Sequence, residues 1–130
     1  MNAFVDTSFY IARVMPRDQW HGKALRAVRP GISFITSTLV INETISLLQA
    51  RGLLSAAMAF LREGRLSHDV LIVYPDASLQ SEGWDLFARW GGAGASAVDC
   101  VSFAIMRKMS IRKAFTFDGH FRTAGFDILR

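Results

Sequence analysis

The sequence predicts an α/β fold in which helices cover a mainly parallel sheet. Three observations carry this. Short apolar runs recur along the chain, each bounded by Asp, Gly or Pro. Longer stretches with apolar residues at helical spacing alternate with them. The short runs are also apolar at successive positions, as strands buried on both faces should be.

Taken in order, Ala3-Phe4-Val5 is a first strand ending at Asp6, and Thr7-Ser8 offer cap chemistry for a helix through about Val14. Pro16 opens a basic helical segment, Arg17 to Arg29, which Pro30-Gly31 stops. Ile32-Ser33-Phe34-Ile35 reads as a strand from its β-branched and aromatic content. A helix follows from Thr36-Ser37 to Gly52, then another from Leu53 to Leu66 with Leu54, Met58 and Leu61 on one stripe. Val70 to Tyr74 is a strand closed by Pro75. Ser78 to Trp90 is helical, Gly91 to Gly94 breaks it, and Ser96 to Met109 is helical again. Ala114 to Phe117 is a strand ending at Asp118, and a short turn of helix leads to a last strand near Asp127 to Leu129.

Composition sets the class. Of the 130 residues, 51% are apolar and 20% charged, which is a globular balance expected to form a single domain over residues 1–130. A lone cysteine, Cys100, excludes an intrachain disulfide and a thiolate zinc site, and fits a reducing cytoplasm. No apolar run approaches a membrane span, and the N-terminus lacks the basic region of a signal peptide, so the expectation is a cytoplasmic protein with no membrane partner. Fifteen basic residues against eleven acidic ones give +4, and arginine supplies most of the basic set. Its planar fork suits phosphate, which points to a nucleic-acid partner.

Four of the acids stand where an acid is least expected. Asp6 and Asp118 end strands, Glu43 interrupts the apolar Leu39 to Ile45, and Asp99 lies in the first turn of a helix within Ala97-Val98-Asp99-Cys100-Val101. Strand carboxyl ends and helix N-termini are where a parallel sheet gathers its site. Ser96 and Asp99 have capping-box spacing, and Thr116 is placed to present its hydroxyl beside Asp118. Each acid alone also fits a helix cap or a buried partner for an arginine. If the four converge, their repulsion demands a cation, and an all-oxygen donor set favours Mg²⁺ (or Mn²⁺) over Zn²⁺. Such an ion could activate water against a phosphodiester, while the basic remainder holds the neighbouring phosphates.

Over its whole length the chain resembles the PIN domain, and within it the VapC-type toxins of bacterial and archaeal toxin–antitoxin pairs. The residues that carry this are Val5-Asp6-Thr7-Ser8, the helical acid of Ile41-Asn42-Glu43, and Ser96-Ala97-Val98-Asp99-Cys100-Val101-Ser102-Phe103-Ala104. Phe115-Thr116-Phe117-Asp118-Gly119-His120-Phe121 and Ala124-Gly125-Phe126 complete the set. The resemblance implies a three-layer α/β/α sandwich, an acidic Mg²⁺ or Mn²⁺ site and endoribonuclease activity. By motif match, the catalytic set is Asp6, Glu43, Asp99 and Asp118, with Asp6, Asp99 and Asp118 as metal ligands and Ser8 and Thr116 as supporting polar residues. It further implies an RNA substrate, a homodimer, and a cognate antitoxin that blocks the site with a C-terminal segment. The chain departs from many relatives at Val98, where they carry Thr, and at His120, where some carry a further Asp.

Other features read more plainly. Gly92 to Ala97 imitates a dinucleotide-binding loop but follows a helix, and Ser8 stands where a phosphoaspartate enzyme needs a second acid. His21, His68 and His120 lack ligand spacing among themselves, and His120, two residues past Asp118, reads as a surface-turn histidine ahead of one that touches a phosphate. Cys100 reads as a buried small residue whose thiol the adjacent carboxylate raises. Trp20, Trp84 and Trp90 read as partly buried helix aromatics rather than base-stacking platforms. Arg13, Arg17, Lys23, Arg26 and Arg29 form one basic group and Arg107, Lys108, Arg112 and Lys113 another, each a solvated face or an RNA track. The alternatives to a toxin nuclease are a non-catalytic RNA- or partner-binding PIN-like domain, whose RNA binding would survive chelation, and an RNA-processing nuclease without an antitoxin.

Overall fold

Successive side chains of a strand point to opposite faces, and the first strand shows what each face is for. In the computed structural model, which describes Met1–Arg130, β1 (Asn2–Val5) turns Ala3 and Val5 to one layer and Phe4 to the other. Ala3 and Val5 pack with Phe9 and Ala12 of α1 (Thr7–Val14), Ala24 of α2 (His21–Ala27) and Phe115. Phe4 joins Leu79 and Leu86 of α5 (Ala77–Trp90), Phe103 and Met106 of α6 (Ala97–Lys108), and Phe121 of α7 (His120–Thr123). Burying each of these phenylalanines contributes about 1.5–3 kcal/mol. The result is the expected three-layer α/β/α sandwich.

The sheet is parallel throughout. Its order is β3-β2-β1-β4-β5, with β2 at Ser33–Ser37, β3 at Val70–Val73, β4 at Lys113–Phe115 and β5 at Asp127–Leu129. The chain builds outward from β1 to one edge and then returns to build the other. The reversal lies between β1 and β4, where a parallel sheet opens a crevice beyond its carboxyl ends. Asp6 and Asp118 follow those two strands.

Three boundaries differ from the sequence expectation, each for a local reason. Thr36 and Ser37 continue β2 opposite Ile72 and Val73, and Ser37 then caps α3 (Thr38–Ala50) by accepting from Val40 N at 3.3 Å. The helix after Pro16 begins only at His21, because Asp18 Oδ1 accepts from Trp20 N at 2.8 Å and holds a turn there. β4 stops at Phe115 rather than Phe117. Phe117 N turns to the hydroxyl of Ser8 at 2.9 Å, and Asp118 therefore lies past the strand.

The apolar stripe of α4 (Leu54–Leu66) is not core. Only Ala57 of this helix is buried, where it meets Leu48 and Ile11, while Leu54 and Met58 stay more than half exposed. Beside α4 an apolar cleft of about 570 Å³ is lined by Tyr10, Phe34, Phe60 and Ile72, and none of Asp6, Glu43, Asp99 and Asp118 lines it. No helix is long and apolar enough to cross a membrane.

α6 is the central helix, buried from Asp99 to Met106, and α5 lies against it at Gly83. A Cβ there would stand 2.5 Å from Val101 Cγ2 and 3.1 Å from its Cα. Alanine gains about 1 kcal/mol of helix propensity, but overpacking against a stiff valine costs about 1–3 kcal/mol. Gly83→Ala is therefore expected to lower the melting temperature by a few degrees. An unchanged melting curve would contradict a close α5–α6 contact.

Candidate metal centre

The turn after β1 and the turn after β4 are stitched together by two hydroxyls. Asp6 caps α1, and its Oδ2 accepts from Ser8 N at 3.4 Å, Ser8 Oγ at 2.9 Å and Thr116 Oγ1 at 2.9 Å. Ser8 Oγ accepts from Phe117 N, and Thr116 Oγ1 accepts from Asp118 N, both at 2.9 Å. Ser8 and Thr116 thus stand beside the acids as expected. Thr116 does so from a turn rather than by alternation along a strand.

Asp99 arrives from the other direction. Ser96 and Asp99 form the expected capping box at the start of α6: Asp99 N donates to Ser96 Oγ at 3.0 Å and Ser96 N donates to Asp99 Oδ2 at 2.9 Å. Asp118 Oδ1 accepts from His120 N at 2.9 Å. Glu43, on α3, is half-buried and its carboxylate makes no hydrogen bond within the protein, yet its charge reaches Asp99. The hydrogen bonds fall on Oδ2 of Asp6, Oδ2 of Asp99 and Oδ1 of Asp118. Each carboxylate keeps its second oxygen outside the side-chain network.

The electrostatics join what the hydrogen bonds leave apart. Burial, with repulsion from Asp99, raises the Asp6 carboxyl to about 7 against the bonds from Thr116 and Ser8. Burial also raises Asp99; the Ser96 backbone opposes this, and the charges of Asp118 and Glu43 add to it. The four acids therefore feel one another through Asp99. No arginine or lysine neutralises them, since the only cationic side chain within ion-pair distance is His120. Of the two plainer readings of each acid, the arginine partner is thereby excluded, while the helix cap holds for Asp6 on α1 and for Asp99 in the capping box of α6. Uncompensated carboxylates at 3% and 6% exposure are costly. Hard oxygen donors without a counter-charge are the environment that Mg²⁺ or Mn²⁺ satisfies.

His120, expected in a surface turn, lies instead against the acids. It opens α7, with Nδ1 2.6 Å from Asp118 Oδ1 and 4.0 Å from Asp99 Oδ2. Nδ1 is itself buried, and the Asp118 carboxylate is the nearest group to it. The close Asp118 carboxylate raises the His120 pKa, opposed by desolvation. Ligand atoms of Asp99, Asp118 and His120 lie within 4.8 Å of one another, and Asp6 stands outside that tight group. The signal for His120 was the Asp-x-His spacing directly behind a strand.

Other candidates settle simply. Cys100 is fully buried and its thiol is raised by burial and then by Asp99. Trp20 stacks on Phe117 at 5.3 Å with Lys23 over its ring, so it is not free to stack on a base. Arg112 and Lys113 stand at the amino end of β4, across the sheet from the carboxylates, which removes them from a track leading into this site.

A parallel sheet with acids from four elements at or near its switch point defines a class of α/β domain with an acidic site that could hold a metal. The chain belongs to the PIN domain family, whose profile matches residues 3–127. Within it the chain stands with the VapC proteins. It is 41% identical over 125 residues to the 23S rRNA-specific endonuclease VapC20 of Mycobacterium tuberculosis, covering 95% of this chain and 94% of that one. The crystal structure of that VapC20, described as a sarcin–ricin loop cleaving toxin, superposes with a TM-score of 0.88 at 40% identity, covering 95% of each chain. VapBC-1 of nontypeable Haemophilus influenzae shares the fold, with a TM-score of 0.65 at 12% identity over 98% of this chain and 96% of that one.

Proposed function

We propose that this chain, as one domain over residues 1–130, is a Mg²⁺- or Mn²⁺-dependent endoribonuclease and the toxin of a toxin–antitoxin pair, acting on ribosomal RNA in the cytoplasm. The observation that carries this is the gathering of buried carboxylates at the β1–β4 switch point with no arginine or lysine to neutralise them. Asp6, Asp99 and Asp118 would hold the ion through their uncommitted oxygens. When bound, it supplies positive charge to the scissile phosphate and makes water more acidic. Ser8 and Thr116 fix the Asp6 carboxylate by their hydroxyls, and the Ser96 backbone fixes Asp99. Glu43, whose carboxylate no protein donor engages, orients the attacking water. The net charge of +4 favours binding of the flanking phosphates.

The relative at 41% identity is named for 23S rRNA, which supports the same substrate here. The exposed Leu54 and Met58 of α4 support a protein partner, which we assign to an antitoxin, and the homodimer that the family resemblance implies is part of the same proposal. Purified protein with Mn²⁺ is expected to cut 23S rRNA in intact ribosomes, and excess EDTA is expected to abolish the cut. RNA binding that survives EDTA with no cleavage under any divalent ion would overturn the enzyme in favour of a binding domain. Cleavage with no inhibitor encoded beside the gene would favour an RNA-processing nuclease.

A further inference from the structure

We propose that His120 is a positioning residue that ties Asp118 to the glycine loop at residues 91–94, and that this loop thereby sets the separation of Asp118 from Asp99. One edge of the imidazole faces a carboxylate and the other lies against the glycine loop. Nδ1 faces Asp118 Oδ1 at 2.6 Å, and Nε2 lies 2.8 Å from where a Cβ on Gly94 would stand. Gly94 has φ +100°, so glycine is required there twice, for its backbone and for the room its missing side chain leaves to the ring.

The loop is itself anchored. Gly94 N donates to Gly91 O at 3.0 Å and Ala95 N to Trp90 O at 3.3 Å, which fastens it to the end of α5. Ala95 is buried, and Ser96 then holds Asp99 through the capping box. One short segment therefore reaches both acids, Asp99 through Ser96 and Asp118 through His120. A ring with one nitrogen on a carboxylate and the other against backbone is placed to orient a ligand rather than to be one. With its side chain about a third exposed, it adds little to the core.

The proposal rests on the metal-dependent reading above, and its test separates the two. Mn²⁺ affinity, read by electron paramagnetic resonance, is compared for wild type, His120→Ala, His120→Asn, His120→Gln and Gly94→Ala, alongside kcat and KM for RNA. Asparagine places an amide nitrogen near the position of Nδ1, and glutamine places one near Nε2. His120→Ala is expected to weaken Mn²⁺ binding and lower kcat about tenfold to a hundredfold, with KM for RNA little changed. His120→Asn keeps only the Asp118 edge and His120→Gln only the loop edge, so each is expected to recover little, and Gly94→Ala should reproduce the loss by displacing the ring. Wild-type affinity in His120→Ala overturns the proposal, as does full recovery by His120→Asn or an undiminished Gly94→Ala. Nitrogen hyperfine coupling from the ring to bound Mn²⁺ also overturns it, because His120 would then be a ligand. A wild type that binds Mn²⁺ without cutting RNA refutes the nuclease alone, and one that binds no Mn²⁺ refutes both.

Discussion

Asp99→Asn is expected to lower Mn²⁺-dependent RNA cleavage by about a thousandfold or more, while the metal-free variant melts at or above the wild-type temperature. The two halves of this result have different causes. An asparagine amide oxygen can still accept from Ser96 N, so the capping box that starts α6 survives. The substitution also removes the charge that burial penalises and that repels Asp6, Asp118 and Glu43. Stability should therefore hold or rise. Activity falls because a ligand and its charge leave the site, and several kcal/mol of transition-state stabilisation corresponds to about three powers of ten in rate. Asp6→Asn should behave alike, since the amide oxygen can accept from the Ser8 and Thr116 hydroxyls. Either variant cleaving RNA at the wild-type rate, or failing to fold, would contradict the roles assigned to these acids.

Mn²⁺ is expected to raise the melting temperature by on the order of 10 °C at a hundred times its dissociation constant, and to do so more strongly at about pH 8 than at about pH 5.5. Folded Asp6 keeps its proton to about pH 7, whereas the unfolded chain releases it near 3.8. Between those values the folded form binds more protons, so metal-free stability falls as pH rises. His120 acts in the same direction: its pKa is raised above 6.5 in the folded state, and its contribution is lost as pH rises through the folded value. An added cation takes the place of these protons, so its effect grows as they leave. A melting curve indifferent to millimolar Mn²⁺, or a shift larger at low pH, would contradict a shared cation site.

Much of this was legible in the residues. Strands apolar at successive positions signalled a sheet covered on both faces, and Phe4 against Ala3 and Val5 shows why alternation was absent. Asp6, Asp99 and Asp118 could be found because burial makes a carboxylate in an apolar run conspicuous. Element boundaries were less legible where a side chain outcompeted the backbone, as Ser8 does for Phe117 N and Asp18 for Trp20 N. His120 read as a surface-turn residue because its partners, Asp118 and Gly94, come together only when α7 and the loop before α6 meet. No local pattern shows that meeting. The absence of an arginine from the acids was likewise a property of the folded chain, and it turns four separate acids into one problem of charge.

Anomalous diffraction from crystals soaked in Mn²⁺ tests the shared site most directly. A peak is expected within coordinating distance of carboxylate oxygens of Asp6, Asp99 and Asp118 at the carboxyl ends of β1 and β4, lost in crystals of Asp99→Asn. A peak elsewhere, or none between these acids in a well-ordered wild-type crystal, would contradict the shared site.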